Sequence, residues 1–236
     1  MTLYQPTNGY CYNSDTHFLF YFIKENLKKF KNIQGDILDI GSGSGILGLL
    51  MKRDFRKLNL HSLEPQEIFQ FLTQKNSEIN NIPTTLIKGK IQDVTLEKEF
   101  DLIVSNPPFY PSSVVQSDNE NIKIARYNDN LPLEAFISNV SKNLKDKGKF
   151  FFCYDVKCLF DIIALLKQHN LNLEAMQYLH PKKDKKASLV MIYARKNSKS
   201  LLETLPPIIM FKNGVISDEV NDIYKICDTY SLKVEI

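Results

Sequence analysis

The residues best suited to chemistry in this chain are Asn106-Pro107-Pro108-Phe109. Two fixed hydrogen-bond acceptors stand side by side there, the Asn106 carboxamide oxygen and the Pro107 carbonyl. The paired prolines stiffen the backbone and carry no N–H, so no donor competes for those acceptors. Phe109 adds a flat face on which a flipped base can stack. A planar amino group, on adenine or on an amide, needs such a setting. Its nitrogen lone pair is delocalised, and acceptors aimed at both hydrogens push it toward a tetrahedral, nucleophilic form. Asn106, Pro107 and Phe109 are therefore the expected catalytic residues, with Pro108 beside the substrate.

A second motif lies upstream, in Asp39-Ile40-Gly41-Ser42-Gly43-Ser44-Gly45. Its glycines allow a sharp turn and a close approach of backbone to ligand. The stretch Gly43 to Gly48 also satisfies the dinucleotide pattern G-x-G-x-x-G, so the turn alone does not choose a cofactor. Asp39 tilts the reading toward S-adenosylmethionine. A carboxylate there can orient the loop and receive an ammonium, whereas it would repel a pyrophosphate. Glu64 ends the next strand and can accept both ribose hydroxyls of either cofactor. After the third strand, Ile91 is placed to pack on the adenine ring, and Gln92 or Asp93 to accept from its amino group. The expected cofactor set is thus Asp39, Gly41, Ser42, Gly43, Glu64, Ile91, Gln92, Asp93 and Asn106.

Alternating strands and helices must position these motifs. Apolar runs predict strands at 36–40, 58–63, 84–87 and 100–105, and helical spacing predicts helices at 16–30, 45–53, 66–79, 131–144 and 156–168. Further strands are expected at 149–153, 173–179 and 188–194, the last two as an antiparallel edge hairpin around Lys182-Lys183-Asp184-Lys185-Lys186. Residues 1–15 read as polar and turn-rich, and 110–130 as a substrate loop or mobile segment. This order implies an α/β fold with a doubly wound parallel sheet, whose ligands gather at the carboxyl ends of the strands. Both motifs then face one crevice.

At 236 residues, 43% hydrophobic and 24% charged, the chain reads as one domain with a substantial core. We divide it into an N-terminal substrate-side segment (1–35), a catalytic core (36–196) and a C-terminal extension (197–236). It shows neither a long uncharged apolar run nor a signal-peptide pattern, so a cytoplasmic protein without a membrane span is expected. Cys11, Cys153, Cys158 and Cys227 are scattered, without zinc spacing, and read as reduced thiols; no metal is expected. A net charge of +3 permits nucleic-acid binding without demonstrating it.

With both motifs placed, the chain resembles the class I S-adenosylmethionine-dependent methyltransferases, within them the N-P-P-[YF] amino-methylating group. In that group it is similar to the bacterial tRNA adenine-N6 methyltransferases that modify valine tRNA. The likeness extends over Gln5, Gly9-Tyr10 and Ser14-Asp15, the Asp39–Gly48 loop, the strand into Phe109, Ala125-Arg126-Tyr127 and His180 to Ser188. It implies a class I methyltransferase sheet and methylation of the adenine just 3′ of the anticodon, with tRNA as partner; a monomer is expected, though the sequence does not fix the oligomeric state. Two departures stand out. Lys90 replaces a frequent Asp, which shifts the adenine contact to Gln92 or Asp93, and Phe109 replaces the commoner Tyr. Arg126 and Lys182, Lys183 and Lys185 are candidates for RNA phosphate. Asp15 is a candidate substrate contact, with capping of the helix near Thr16 the stronger expectation.

Three rivals share parts of this pattern. Glutamine-N5 methylation of release factors uses a similar motif but resembles a longer chain with a helical N-terminal domain, and only 38 residues precede Asp39 here. A dinucleotide oxidoreductase leaves Asn106 to Phe109 without a role. A non-catalytic RNA-binding module leaves Asp39, Glu64 and Asn106 unexplained.

Overall fold

A computed structural model of the chain describes residues 1–8, 11–108 and 131–235. In chain order the elements are β1 (Thr2–Pro6), α1 (Ser14–Leu27), β2 (Gly35–Ile40), α2 (Ile46–Asp54), β3 (Leu58–Glu64), α3 (Glu67–Asn80), β4 (Thr85–Lys88) and β5 (Phe100–Ser105). The second half holds α4 (Leu133–Asn143), β6 (Leu144–Asp155), α5 (Leu159–Gln168), β7 (Leu171–Lys182), β8 (Leu189–Lys196), β9 (Glu203–Thr204), β10 (Ile208–Lys212), β11 (Val215–Ile216), α6 (Asp218–Cys227) and β12 (Tyr230–Val234). The expected segment 110–130 lies outside the described residues.

The main sheet runs β11-β10-β7-β8-β6-β5-β2-β3-β4, with β9 added beside β7. Strands β2 to β6 are mutually parallel, while β8 runs antiparallel between β6 and β7. The expected hairpin is thus present. The tail carries the sheet beyond it, because Ile208, after the Pro206-Pro207 break, pairs in parallel with Leu179.

Alternation along β6 shows why helices cover both faces. Successive strand side chains point to opposite sides. Phe151 meets Phe22 of α1 on one face, with ring centroids 6.1 Å apart. Phe150 and Phe152 meet Phe136 of α4 on the other, at 5.6 and 5.8 Å. Each such edge-on pair adds about 0.5–1.5 kcal/mol beyond its burial. The apolar runs read as strands are indeed the core: Ile37, Leu38, Ile103, Val104, Phe150, Phe152 and Ile192 are all buried.

The chain's two ends depart from the sequence expectation. Residues 2–6 are not turn-rich coil but β1, which pairs in parallel with β12, Leu3 opposite Ser231 and Gln5 opposite Lys233. Such a pairing over more than 200 residues leaves no local signature, and Pro6 masks the strand further. Helix α1 starts at Ser14 and is capped by Asn13, whose side chain accepts from the Asp15 N–H at 3.1 Å. Asp15 therefore does not cap the helix. It lies inside the first turn, favourably placed for the helix dipole, and its carboxylate accepts from Asn13 Nδ2 at 2.7 Å. Among the described residues no helix is long and apolar enough to cross a membrane.

Helix α2 packs unusually close to the sheet at Gly48. A Cβ there would lie 2.7 Å from Leu60 Cδ1 and 3.0 Å from Asp39 Oδ2. Replacing glycine by alanine in a helix normally stabilises by roughly 1 kcal/mol. Overpacking costs about 1–3 kcal/mol and acts against that gain. We expect Gly48→Ala to be destabilising by up to about 2 kcal/mol in urea titration; a raised midpoint would show that α2 has room to shift.

Candidate active site

Three strand ends build the site. In β2 and β5, Asp39 lies opposite Val104, so both strands finish at one edge. Ser105 Oγ, buried, donates to the Ile40 carbonyl at 2.7 Å and ties the last residue before the glycine turn to the last before Asn106. The turn itself is pinned to β3: the Gly41 and Ser42 N–H groups donate to the Leu63 carbonyl at 2.9 and 3.1 Å.

Glu64 ends β3 and is buried, at 3% exposure. Its Oε2 accepts from the Gly43 N–H at 2.8 Å and its Oε1 from the Gln66 N–H at 2.9 Å. Each carboxylate oxygen keeps a further lone pair for a ligand hydroxyl. Burial raises its pKa to about 7, against the pull of those two amides. Asp39 is 1% exposed, and its Oδ2 accepts from the Gly48 N–H at 2.9 Å at the start of α2. Burial again raises the pKa to about 7. Gly41 and Gly43 have φ of +68° and +55°, and a Cβ on either would meet no protein atom within 4 Å. It is the backbone conformation that demands glycine there.

Two adjoining cavities open at this edge. The first is lined by Gly41, Gly43, Glu64, Gln66, Phe69, Ile91, Gln92, Asn106 and Pro108. The second is lined by Gln5, Thr16, Asp39, Ser42 and Ser44, with Gly41, Gly43, Phe69 and Asn106 shared between the two. Gln5 explains the value of β1: its Nε2 donates to Ser44 Oγ at 2.6 Å, so the strand braces the glycine loop. Asn76 of α3 does the same through the Ser44 carbonyl at 2.8 Å.

The lining fits S-adenosylmethionine. Ile91 and Phe69 are apolar walls, the Glu64 carboxyl can accept from hydroxyls, and Asp39 places a carboxyl in the more polar cavity, where a cationic group would favour its ionised form. Ser42 Oγ and Gln66 Oε1 are buried with no described protein partner, which is costly unless a ligand or water completes them.

Most of the residues expected from sequence converge here. Gly41, Gly43, Glu64, Ile91, Gln92, Asn106 and Pro108 line the first cavity, and Asp39 and Ser42 the second. Pro107 is buried beside Asn106 without lining either. Asp93 is exposed, outside both linings, and its N–H closes a turn onto the Lys90 carbonyl at 2.9 Å. Asp15 also lies outside both. Lys182, Lys183 and Lys185 are exposed beyond the same end of the sheet as Asn106, but the register sets Ser105 level with Met176, so they lie three strands across and at least six residues further along, more than roughly 20 Å away by strand geometry. Phe109 and Arg126 lie outside the described residues. Sequence reading missed Gln66, Phe69 and Thr16. The first two sit two and five residues past Glu64, where the turn into α3 must face the cavity; Thr16 carries no comparable signal.

Residues 16–168 match the model of the methyltransferase small domain. The chain belongs to that family. This methyltransferase is 28% identical over 159 residues to the tRNA1(Val) (adenine(37)-N6)-methyltransferase of Pedobacter heparinus, covering 66% of this chain and 67% of that protein. It is 29% identical over 162 residues to the release factor glutamine methyltransferase of Flavobacterium psychrophilum, covering 64% of this chain and only 56% of that protein. Its fold matches the crystal structure of an O-methyltransferase predicted in Agrobacterium tumefaciens, with a TM-score of 0.68 at 16% identity over 93% of this chain and all of the other. Among the described residues no group of three or more His, Cys, Asp or Glu could hold a metal ion.

The raised carboxyls set a pH dependence for the methyltransferase. In the free protein Asp39 and Glu64 are largely protonated below pH 7. A cationic ligand favours the carboxylates, so binding releases protons, and affinity rises as pH climbs through 7 and levels above it. We expect S-adenosylmethionine to bind about five- to tenfold tighter at pH 8 than at pH 6 by calorimetry, with a shallower dependence in Asp39→Asn. A flat profile in the wild type would contradict this assignment.

Proposed function

We propose that this methyltransferase transfers a methyl group from S-adenosylmethionine to N6 of the adenine beside the anticodon of valine tRNA. The observation that carries the reading is the position of Asn106, which lines both cavities directly after β5. Similarity to the Pedobacter heparinus enzyme supports the tRNA substrate. The chain acts as one methyltransferase domain with 197–236 as an extension, as a monomer in the cytoplasm, where its substrate resides.

Bound S-adenosylmethionine supplies an electrophilic methyl group on a positively charged sulfur. The protein's part is binding, orientation and hydrogen-bond acceptance. Glu64 holds ribose hydroxyls and Asp39 the ammonium, with Ile91 against the adenine ring. Asn106 Oδ1 accepts one hydrogen of the target amino group and the Pro107 carbonyl the other, which turns the nitrogen lone pair toward the methyl. Phe109 provides the stacking face, and the excess proton leaves to water. The lysines at 182, 183 and 185 extend the sheet edge toward the phosphates.

An amide nitrogen has the same needs, and similarity to the Flavobacterium psychrophilum protein favours release-factor glutamine as the second reading. Incubation with labelled S-adenosylmethionine and either unmodified tRNA or release factor separates them. We expect N6-methyladenosine by mass in the tRNA digest and no label on the release factor. Label on the release factor alone would replace the first reading with the second. Asn106→Ala should lower turnover about 100- to 1,000-fold while changing cofactor affinity far less. Changing Lys182, Lys183 and Lys185 to Gln together should raise KM for tRNA at unchanged kcat and flatten the salt dependence of binding by about two log–log units. An unchanged slope would remove these lysines from the RNA path.

A further inference from the structure

The Asn106 carboxamide works only if its plane is held. Its amide nitrogen is a donor and its oxygen an acceptor on a shape that looks the same when turned over, and χ2 of asparagine is a soft torsion. Two contacts fix it here. Nδ2 donates to Thr16 Oγ1 at 2.9 Å, and Oδ1 accepts from the Cys153 thiol at 3.1 Å. Both partners are buried, Thr16 at 3% exposure and Cys153 at 0%. The two are unequal. A thiol is a weak donor and leaves the oxygen largely free for a second hydrogen, whereas the hydroxyl is the strong anchor.

Thr16 is itself held by the helix it belongs to. It lies in the first turn of α1, directly after the Asn13 cap, and its N–H donates to the Asn13 carbonyl at 3.3 Å. The next residues lock that turn from outside. His17 Nε2 lies 2.9 Å from Thr229 Oγ1, and the Cys227 thiol donates to the His17 carbonyl at 3.8 Å. Phe18 and His17 both meet the Tyr224 ring, at 6.2 and 5.5 Å. Phe22, further along the helix, is seated on Phe151. Helix α6 therefore braces α1, α1 carries Thr16, and Thr16 holds Asn106.

We propose that Thr16 is a positioning residue that sets the plane of the Asn106 carboxamide, and that the α6 segment serves the reaction through it. This rests on the reading of Asn106 as the acceptor for the target amino group. Thr16 touches the second cavity but no reacting atom is assigned to it. A loss of about 1 Å in the placement of a reacting group costs about 100-fold in rate.

The test is a double-mutant cycle on methyl transfer, with Thr16→Val keeping the shape and removing the acceptor, and Thr16→Ser keeping the hydroxyl. We expect Thr16→Val to lower kcat about 10- to 100-fold with KM for S-adenosylmethionine unchanged within twofold, and Thr16→Ser to restore most of it. In an Asn106→Ala background, Thr16→Val should cost nothing further. Equal loss in both backgrounds, or a Thr16→Ser as poor as Thr16→Val, would overturn the proposal. A readout independent of the substrate keeps the two claims apart: the Asn106 side-chain amide protons, followed by NMR in the protein without RNA, should be protected from exchange and lose protection in Thr16→Val but not in Thr16→Ser. Fast exchange in the wild type overturns the positioning role. Protected amides in a protein that transfers to no amino substrate would overturn only the functional reading.

Discussion

The level ending of three parallel strands is the constraint on which the site depends. β2, β3 and β5 finish at one edge, and residues that follow each strand end are forced into one space: the glycine turn, Glu64 and Asn106. The register is reinforced by small, buried contacts. Ser105 Oγ on the Ile40 carbonyl and the two turn amides on the Leu63 carbonyl prevent one strand end from sliding past the others. A slip of one residue would also turn every core side chain of a strand to the wrong face. Core packing and site geometry are therefore enforced together.

Within that frame, two buried carboxyls hold the glycine loop open. Glu64 takes an amide from the loop and one from the entry to α3, and Asp39 takes one from α2. Desolvation makes these groups reluctant to ionise, as their raised pKa values record. A polar, cationic ligand relieves that cost. The burial that raises both pKa values thus favours a ligand that brings hydroxyls and a positive charge.

The parts legible in the sequence were those with local signals. Apolar runs ending at Asp39-Ile40, Glu64 and Ser105 marked the strand ends, and the glycines and paired prolines marked what followed them. The parts that were not legible depend on distant pairing. β1 forms because β12 lies beside it, and it matters because Gln5 reaches Ser44. Thr16 and Cys153 each look ordinary in isolation, one a helix-start residue and the other a core thiol; only the packing of α1 on β6 brings both to Asn106. Asp93 shows the reverse case. Its residue type suited an adenine contact, but the turn after β4 points it away and leaves Gln92 on the cavity.

The most direct measurement is a crystal structure of the protein with S-adenosylhomocysteine and a valine anticodon stem-loop. The account predicts the ribose hydroxyls on Glu64, the amino acid end beside Asp39, and a flipped adenine whose N6 lies within hydrogen-bond distance of Asn106 Oδ1. An adenine held elsewhere, or an Asn106 side chain turned away from it toward the protein interior, would contradict the account at its centre.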